Sequence, residues 1–243
     1  MLRGEQQCKY ELAFTTPAGC ADAVRDGEAD IGIIPSIEYQ RIGGLRIISG
    51  VSIAANFEVK SVLLLSNIPA ESIRTVAADN ASRASVALVQ ILLEKFYGRR
   101  LEMTPADPEP EEMLKRADAA LVIGDPALAY RGPAPYSYDL AAEWRKFTGL
   151  PFVFAFWAAG ESAAVEEVGR DFRDSRDFGL ARMDEIAAEY APKYKMTPEE
   201  VKFYLTHHID YNLSEDHQRG LKLFYRLARE VGMISEVRDL ELV

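Results

Sequence analysis

The sequence has few residues of the types that bind metals or form disulfides. It contains two cysteines, Cys8 and Cys20, and three histidines, His207, His208 and His217. The cysteines could form at most one bridge, and their spacing relative to histidine matches no metal site, so we interpret both as ordinary thiols. The histidines all fall in the C-terminal third, away from the candidate site below, where a surface or helix-packing role is the simpler interpretation.

Long hydrophobic runs and catalytic sequence motifs are also absent. No run approaches the roughly 18 apolar residues of a membrane span. Residues 1–10 lack the apolar stretch and small-residue cleavage site of a signal peptide, which favours a cytoplasmic protein. There is no glycine-rich nucleotide loop, no Gly-x-Ser-x-Gly elbow and no His-Glu-x-x-His. We therefore expect a protein that uses no metal ion and no cofactor.

Positive charge is scarce. The formal net charge is -10, from 28 basic and 38 acidic residues among 243, and the basic residues are scattered. A nucleic acid or an anionic membrane surface requires a basic patch, so we expect neither as a partner. A small anionic ligand must then be bound by local groups. The hydrophobic fraction of 48% is sufficient for one large domain or two small lobes.

Strand and helix signals alternate over the first 160 residues, which predicts an α/β protein whose mostly parallel sheets are covered by helices. Residues 17–26 are typical of a helix capped by Thr16, and residues 82–97 of a second helix that ends at Gly98. The chain after residue 161 is predicted to be helical, with a break at Pro192. The predicted strands are 11–15, 30–34, 45–54, 59–66, 75–78, 101–104, 119–123 and 152–158.

The strongest candidate binding site lies at the start of the helix 82–97, directly after a predicted strand. Asn80, Ser82, Arg83 and Ser85 lie there, next to the free backbone N–H groups of a helix N-terminus. Hydroxyl, amide and guanidinium groups in such a place suit a carboxylate ligand. Helix capping by Asn80 or Ser82 is the simpler alternative.

Other polar residues next to predicted strands are weaker candidates. Ser36 and Asp125 each follow a predicted strand and begin a helix, so either a pocket role or a capping role is open to them. Ser61 lies within a predicted strand, and a serine in that place is usually structural. Tyr204 and Tyr211 occur at helical spacing and are interpreted as core residues.

In order and spacing, several segments together resemble the chorismate dehydratase family of the futalosine route to menaquinone. The resemblance covers nearly the whole chain and rests on the joint pattern rather than on any one motif. The segments are Thr16-Pro17, ADIGIIPSIEY (29–39), the strand with Ser61, SRASV (82–86), AALVIGD (119–125) and GLPFVFAFWA (149–158).

The resemblance implies the two-lobed fold of type II periplasmic binding proteins, with the ligand between the lobes. Residues 1–68 and 151–243 would form lobe 1, and residues 69–150 lobe 2. The implied reaction is the dehydration of chorismate, a small-molecule partner, to 3-[(1-carboxyvinyl)oxy]benzoate, with no residue assigned as acid or base. The implied substrate-binding residues are Ser36, Ser61, Ser82, Arg83, Ser85 and Asp125.

The sequence departs from the family at its N-terminus. Family members begin with a further strand and a loop that carries an active-site Asn, whereas this sequence starts at what corresponds to the middle of their first helix. We expect either a longer natural protein or, for this chain, an incomplete sheet, weak stability and an impaired site.

Three alternatives from other functional classes are open. A small-anion binding protein could share the fold, because fold does not decide function. The later dihydroxynaphthoate-forming enzyme of the same pathway is a second alternative, and the lack of histidine near the candidate residues counts against it. A purely structural subunit has only the helical C-terminal third in its favour.

Overall fold

A computed structural model describes residues 9–79, 82–161, 163, 165 and 168–243. Its strands are β1 (Ile31–Pro35), β2 (Arg46–Ala55), β3 (Val62–Ser66), β4 (Thr75–Ala78), β5 (Glu102–Pro105), β6 (Ala119–Ile123), β7 (Tyr136–Asp139) and β8 (Phe152–Ala159). Its helices are α1 (Pro17–Arg25), α2 (Glu38–Arg41), α3 (Arg83–Ile91), α4 (Pro110–Arg116), α5 (Asp125–Ala129), α6 (Leu140–Thr148), α7 (Val168–Leu180), α8 (Met183–Tyr194), α9 (Pro198–Phe203) and α10 (Glu215–Glu230). Within this described part, no helix is long and apolar enough to span a membrane.

The strands form two sheets, and the α/β class is confirmed. The smaller sheet has the order β1-β8-β2 and the larger one the order β5-β4-β6-β3-β7. In the larger sheet β4 is parallel to β5 and β6, whereas β3 is antiparallel to β6 and β7. The smaller sheet differs from the predicted parallel arrangement, because β8 is antiparallel to both of its neighbours. β1 and β2 do run in the same direction, but β8 returns from the other sheet and inserts between them.

The chain passes from the smaller sheet to the larger one between Ala55 and Val62, and it returns between Asp139 and Phe152. The first passage comes earlier than the predicted lobe boundary at residue 68, because β3 pairs with β6 and β7. The division into lobes itself stays a prediction.

Local sequence signals account for most helix ends. Thr16 Oγ accepts the Gly19 N–H at 3.1 Å and begins α1, as predicted. α3 continues into a π-helical turn, Leu92–Phe96, and ends near Gly98, whose φ is 68°. The predicted break at Pro192 is wrong, because α8 includes this residue and continues to Tyr194.

One predicted strand is absent, and one observed strand has no counterpart among the predicted strands. Residues 11–15 form no strand. The segment 130–138 reads as a surface loop because of its proline and glycine, yet β7 forms there and pairs with β3 from Ser66↔Tyr136 to Leu63↔Asp139. β7 is a short and largely exposed edge strand, and such strands lack the hydrophobic alternation that reveals a half-buried one.

The main hydrophobic core joins the two sheets. Trp144 of α6 is fully buried and packs edge-on against Phe152 of β8 and Phe224 of α10. Its indole N–H donates to the Pro151 carbonyl at 3.2 Å. Gly220 of α10 lies against the same carbonyl so closely that an added Cβ would be 2.4 Å from the oxygen. The chain's return to the smaller sheet is therefore tightly packed.

Candidate functional site

Five of the six predicted site residues lie at one edge of the larger sheet. β4 and β6 are parallel neighbours with Ala78 paired to Leu121, so both strands end at this edge. β3 starts there, because Val62 pairs with Ile123 of the antiparallel β6. The residues this brings to the edge are Ser61 before β3, Ser82, Arg83 and Ser85 at the start of α3, and Asp125 after β6.

The two serines of α3 contact each other. Ser82 occupies the N-cap position, and its Oγ lies 2.8 Å from Ser85 Oγ. Ser85 is fully buried, whereas Ser82 is half-buried. Among the described residues, Ser82 makes no side-chain cap bond, so capping by Ser82 has no support. Asn80 lies outside the described residues.

Arg83 forms ion pairs within the chain. Its guanidinium contacts Asp22 of α1 and Glu38 of α2, both at 2.9 Å, and Arg41 also pairs with Glu38 at 2.8 Å. The hydrogen bond with Asp22 raises the pKa of Arg83 and lowers the pKa of Asp22. These pairs connect α3 of the larger sheet to α1 and α2 beside the smaller one. A substrate carboxylate at Arg83 would compete with carboxylates already present.

Ser36, the sixth predicted residue, follows β1 and is fully buried. Its N–H donates to the Phe154 carbonyl at 2.9 Å, and its carbonyl accepts the Tyr225 hydroxyl at 2.7 Å. Its Oγ has no hydrogen-bond partner in the described part of the chain. A buried hydroxyl without a partner is uncommon and calls for a ligand or water as an explanation. Glu38, close to Ser36 in the chain, connects this region to Arg83.

Ser61 is held on two sides. Its carbonyl accepts the Gly124 N–H at 2.7 Å, and its Oγ accepts the Tyr204 hydroxyl at 2.9 Å. Burial raises the pKa of Tyr204, the hydrogen bond with Ser61 offsets part of this rise, and the negative charges of Asp125 and Asp139 add to it. Tyr204 therefore stays protonated and remains a donor. The interpretation of Tyr204 as a core residue misses this contact, because helical spacing does not reveal what a hydroxyl reaches.

The backbone before Ser61 is held by Asp139. This carboxylate accepts backbone N–H groups from Val59 and Lys60, and also from Ala141 and Ala142 at the start of α6. Lys60 has a φ of 62°, in the left-handed region that non-glycine residues rarely occupy. Strained residues of this kind cluster at functional sites. Asp139 occupies the N-cap position of α6, where aspartate is common, and no other feature of the sequence indicates it.

His208 contacts a backbone group near one of the candidate residues, whereas the sequence places all three histidines away from them. Its Nδ1 is 3.2 Å from the Glu58 carbonyl, close to Ser61 in the chain. The C-terminal segment folds back over the passage between the sheets, which the sequence alone does not show. His217 is buried and bonds to Ser214 Oγ at 2.8 Å, as a packing role predicts.

Other parts of the described chain offer little chemistry. Two surface depressions, one beside Val24 and Gly160 and one beside Gln90 and Arg100, contain none of the six predicted residues. No group of three or more His, Cys, Asp or Glu residues in the described part could hold a metal. Burial raises the pKa of the Cys20 thiol, and Cys8 lies outside the described residues.

Comparison with known proteins identifies relatives over most of the chain. A family model described as menaquinone biosynthesis matches residues 1–230. A chorismate dehydratase of Thermus thermophilus is 29% identical over 235 residues, covering 88% of this chain and 85% of that protein. A chorismate dehydratase of Campylobacter jejuni is 28% identical over 152 residues, covering 62% of this chain and 67% of that protein.

Solved structures show the same fold. A protein of Archaeoglobus fulgidus superposes with a TM-score of 0.71 at 22% identity, covering 92% of this chain and 87% of its own. The periplasmic aliphatic sulphonate binding protein of Escherichia coli superposes with a TM-score of 0.62 at 15% identity, covering 93% and 79%. At these identities the likeness concerns the fold alone, and the periplasmic-binding-protein-like fold is confirmed.

Proposed function

Because the chain belongs to the menaquinone biosynthesis family, we propose that it dehydrates chorismate to 3-[(1-carboxyvinyl)oxy]benzoate. The observation that carries this proposal is the match along residues 1–230, together with two relatives named chorismate dehydratase. In this proposal, the hydroxyl groups at one edge of the larger sheet bind the substrate.

The reaction demands little of a protein. One ring carbon of chorismate loses a proton, its neighbour loses hydroxide, and the C–H electron pair completes an aromatic ring. The products are one water molecule and the benzoate, so no oxidant, reductant or cofactor is consumed. The protein must orient the substrate and stabilise the departing oxygen, both of which hydrogen-bond donors can do.

The start of α3 is the best place for a substrate carboxylate. Ser82 and Ser85 present hydroxyls beside the backbone N–H groups of a helix N-terminus, where the helix dipole favours an anion. Arg83 adds positive charge, although Asp22 and Glu38 already neutralise much of it. We therefore propose that Ser82 and Ser85 bind a carboxylate directly and that Arg83 supports them.

The substrate would lie between a lobe built on the smaller sheet and a lobe built on the larger sheet, which includes β3. Ser36 then contacts it from the first lobe, where its unpartnered hydroxyl would gain an acceptor. Asp125 is exposed and negatively charged, so it would accept a hydrogen bond from a substrate hydroxyl. The cytoplasmic location also stays a prediction.

Mass spectrometry of chorismate incubated with the protein tests the proposal. We expect a product lighter than chorismate by one water, and roughly 100-fold slower formation by Ser61→Ala, the loss typical when one donor to a developing negative charge is removed. Ser137→Ala, which changes an exposed serine of the adjacent strand β7, should leave the rate unchanged. Equal rates for Ser61→Ala and the parent chain would remove Ser61 from the site.

A small-anion binding protein is the second candidate, because the Escherichia coli fold relative is named as a sulphonate binding protein. Calorimetry with chorismate distinguishes the two functions. Binding of chorismate without any product would favour the binding protein.

A further inference from the structure

Tyr204 contacts Ser61 although the two residues are far apart in the sequence. Main-chain hydrogen bonds fix the segment that carries Tyr204. It begins the π-helical turn Tyr204–His208, and the residues after this turn bond to β2. The Asp210 N–H donates to the Ala54 carbonyl at 2.8 Å, and the Ser52 N–H donates to the Tyr211 carbonyl at 3.0 Å. These main-chain bonds hold the C-terminal segment where the chain leaves the smaller sheet.

The hydrogen bond between the two hydroxyls has a direction. Tyr204 donates to Ser61 Oγ at 2.9 Å, so a lone pair of Ser61 is occupied and the Ser61 proton remains free to be donated. Among the described residues that proton has no acceptor. Burial and nearby carboxylates raise the pKa of Tyr204, which keeps the phenol in its donor form.

The surroundings of Ser61 suit a neutral substrate group. Asp139 accepts the Lys60 N–H, and Asp125 follows Gly124, whose N–H donates to the Ser61 carbonyl, so two negative charges lie near the hydroxyl pair. A substrate carboxylate would be repelled there, whereas an uncharged hydroxyl would not. The start of α3, with Ser82 and Arg83, is the more favourable place for the carboxylate.

We infer that Tyr204 is a positioning residue that directs the Ser61 proton towards the hydroxyl that leaves chorismate. This inference rests on the proposed dehydratase function. Ser61 donates a hydrogen bond to the oxygen as its bond to carbon breaks, and no covalent bond to the protein forms. Tyr204 does not contact the substrate and acts only through Ser61.

A double-mutant cycle on the full chain tests this role, with Ser61→Ala, Tyr204→Phe and the double variant. We expect Tyr204→Phe to lower kcat about 10-fold and Ser61→Ala about 100-fold, with little change in KM, because the bond strengthens as the oxygen departs. The double variant should be no slower than Ser61→Ala, since Tyr204 acts through Ser61. Ser61→Thr keeps the hydroxyl and should retain most of kcat as well as the sensitivity to Tyr204→Phe.

Tyr190→Phe is the matched control, because it removes a phenol hydroxyl from an exposed position on α8. It should change neither kcat nor KM. Melting curves and near-ultraviolet circular dichroism verify that each variant is folded before its kinetics are interpreted.

The possible results separate the two proposals. Multiplicative losses in the double variant, or a raised KM with unchanged kcat, would overturn the positioning role while leaving dehydration intact. If the parent chain bound chorismate without turnover, the proposed function would fail. The Kd of chorismate would then be measured for the same three variants. Coupling between positions 61 and 204 would then support the orientation of Ser61, and additivity would overturn it.

Discussion

At the scale of single residues, the most unusual feature is the left-handed backbone of Lys60 next to Ser61. Its φ of 62° is compatible with glycine at little steric cost, whereas a lysine there is strained by roughly 1–2 kcal/mol. The three hydrogen bonds from the Val59 and Lys60 N–H groups to the Asp139 carboxylate hold this conformation in place. The strain is therefore local and is offset by one carboxylate.

Replacing Lys60 by glycine should stabilise the protein by up to about 1 kcal/mol, measured by urea unfolding, because the steric strain disappears. Lys195→Gly should have a similar effect, since Lys195 is the other described non-glycine residue with positive φ and ends α8. Lys60→Ala keeps the strain and should give no gain. A loss of stability in Lys60→Gly would show that the lysine side chain matters more than its backbone.

At the scale of elements, the contact between α10 and the start of β8 determines how the C-terminal helices pack. Gly220 lies so close to the Pro151 carbonyl that a methyl group cannot be accommodated without moving backbone. Trp144 donates to the same carbonyl, which limits the movement available. Phe224, one helical turn after Gly220, packs against Trp144 and would be displaced with the helix.

Gly220→Ala should lower the free energy of unfolding by about 1–3 kcal/mol, the usual cost of overpacking. Gly179→Ala is a matched control in α7, because its Cβ would meet only Ile186 Cδ1 at 4.0 Å. That variant should be stabilised by about 0.5–1 kcal/mol through helix propensity. Thermal unfolding of both variants measures the contrast, and equal shifts would contradict the close packing at Pro151.

At the scale of the whole molecule, partly and fully buried tyrosines should lower the free energy of unfolding at alkaline pH. Burial is the main cause that raises the pKa of Tyr97 and Tyr211 to about 12, and it also raises the pKa of Tyr225 well above its usual value. In the unfolded chain tyrosine ionises near about 10. Between these values the unfolded state binds fewer protons than the folded state, so stability is complete below pH 10 and is lost as the pH rises towards 12.

Urea midpoints measured at intervals from pH 9 to pH 12 should therefore fall steadily above pH 10. Tyr211→Phe removes one of the titrating groups and should flatten this fall. Tyr190→Phe, at an exposed position, should leave the slope unchanged. Parallel curves for Tyr211→Phe and the parent chain would show that ionisation of Tyr211 does not contribute to the loss of stability.

Much of this protein follows from its sequence. Alternating strand and helix signals predict the α/β class, and β4, β6 and β8 lie within a residue of their predicted positions because buried strands are continuous apolar runs bounded by turn residues. The family resemblance is confirmed by the match over residues 1–230. The choice of site residues and the lobe boundaries stay predictions, although five of the six residues do share one sheet edge.

Other features depend on contacts between distant parts of the chain, which local patterns do not encode. The insertion of β8 between β1 and β2 and the pairing of the edge strand β7 are decided by the whole sheet. Tyr204 meets Ser61 across 143 positions of sequence, and Asp139 holds Lys60 across 79. The sequence by itself determined the fold class and the family, because periodicity and motif order are local properties. The tertiary structure alone decided which hydroxyl Ser61 faces, because that depends on how the C-terminal segment packs back onto β2.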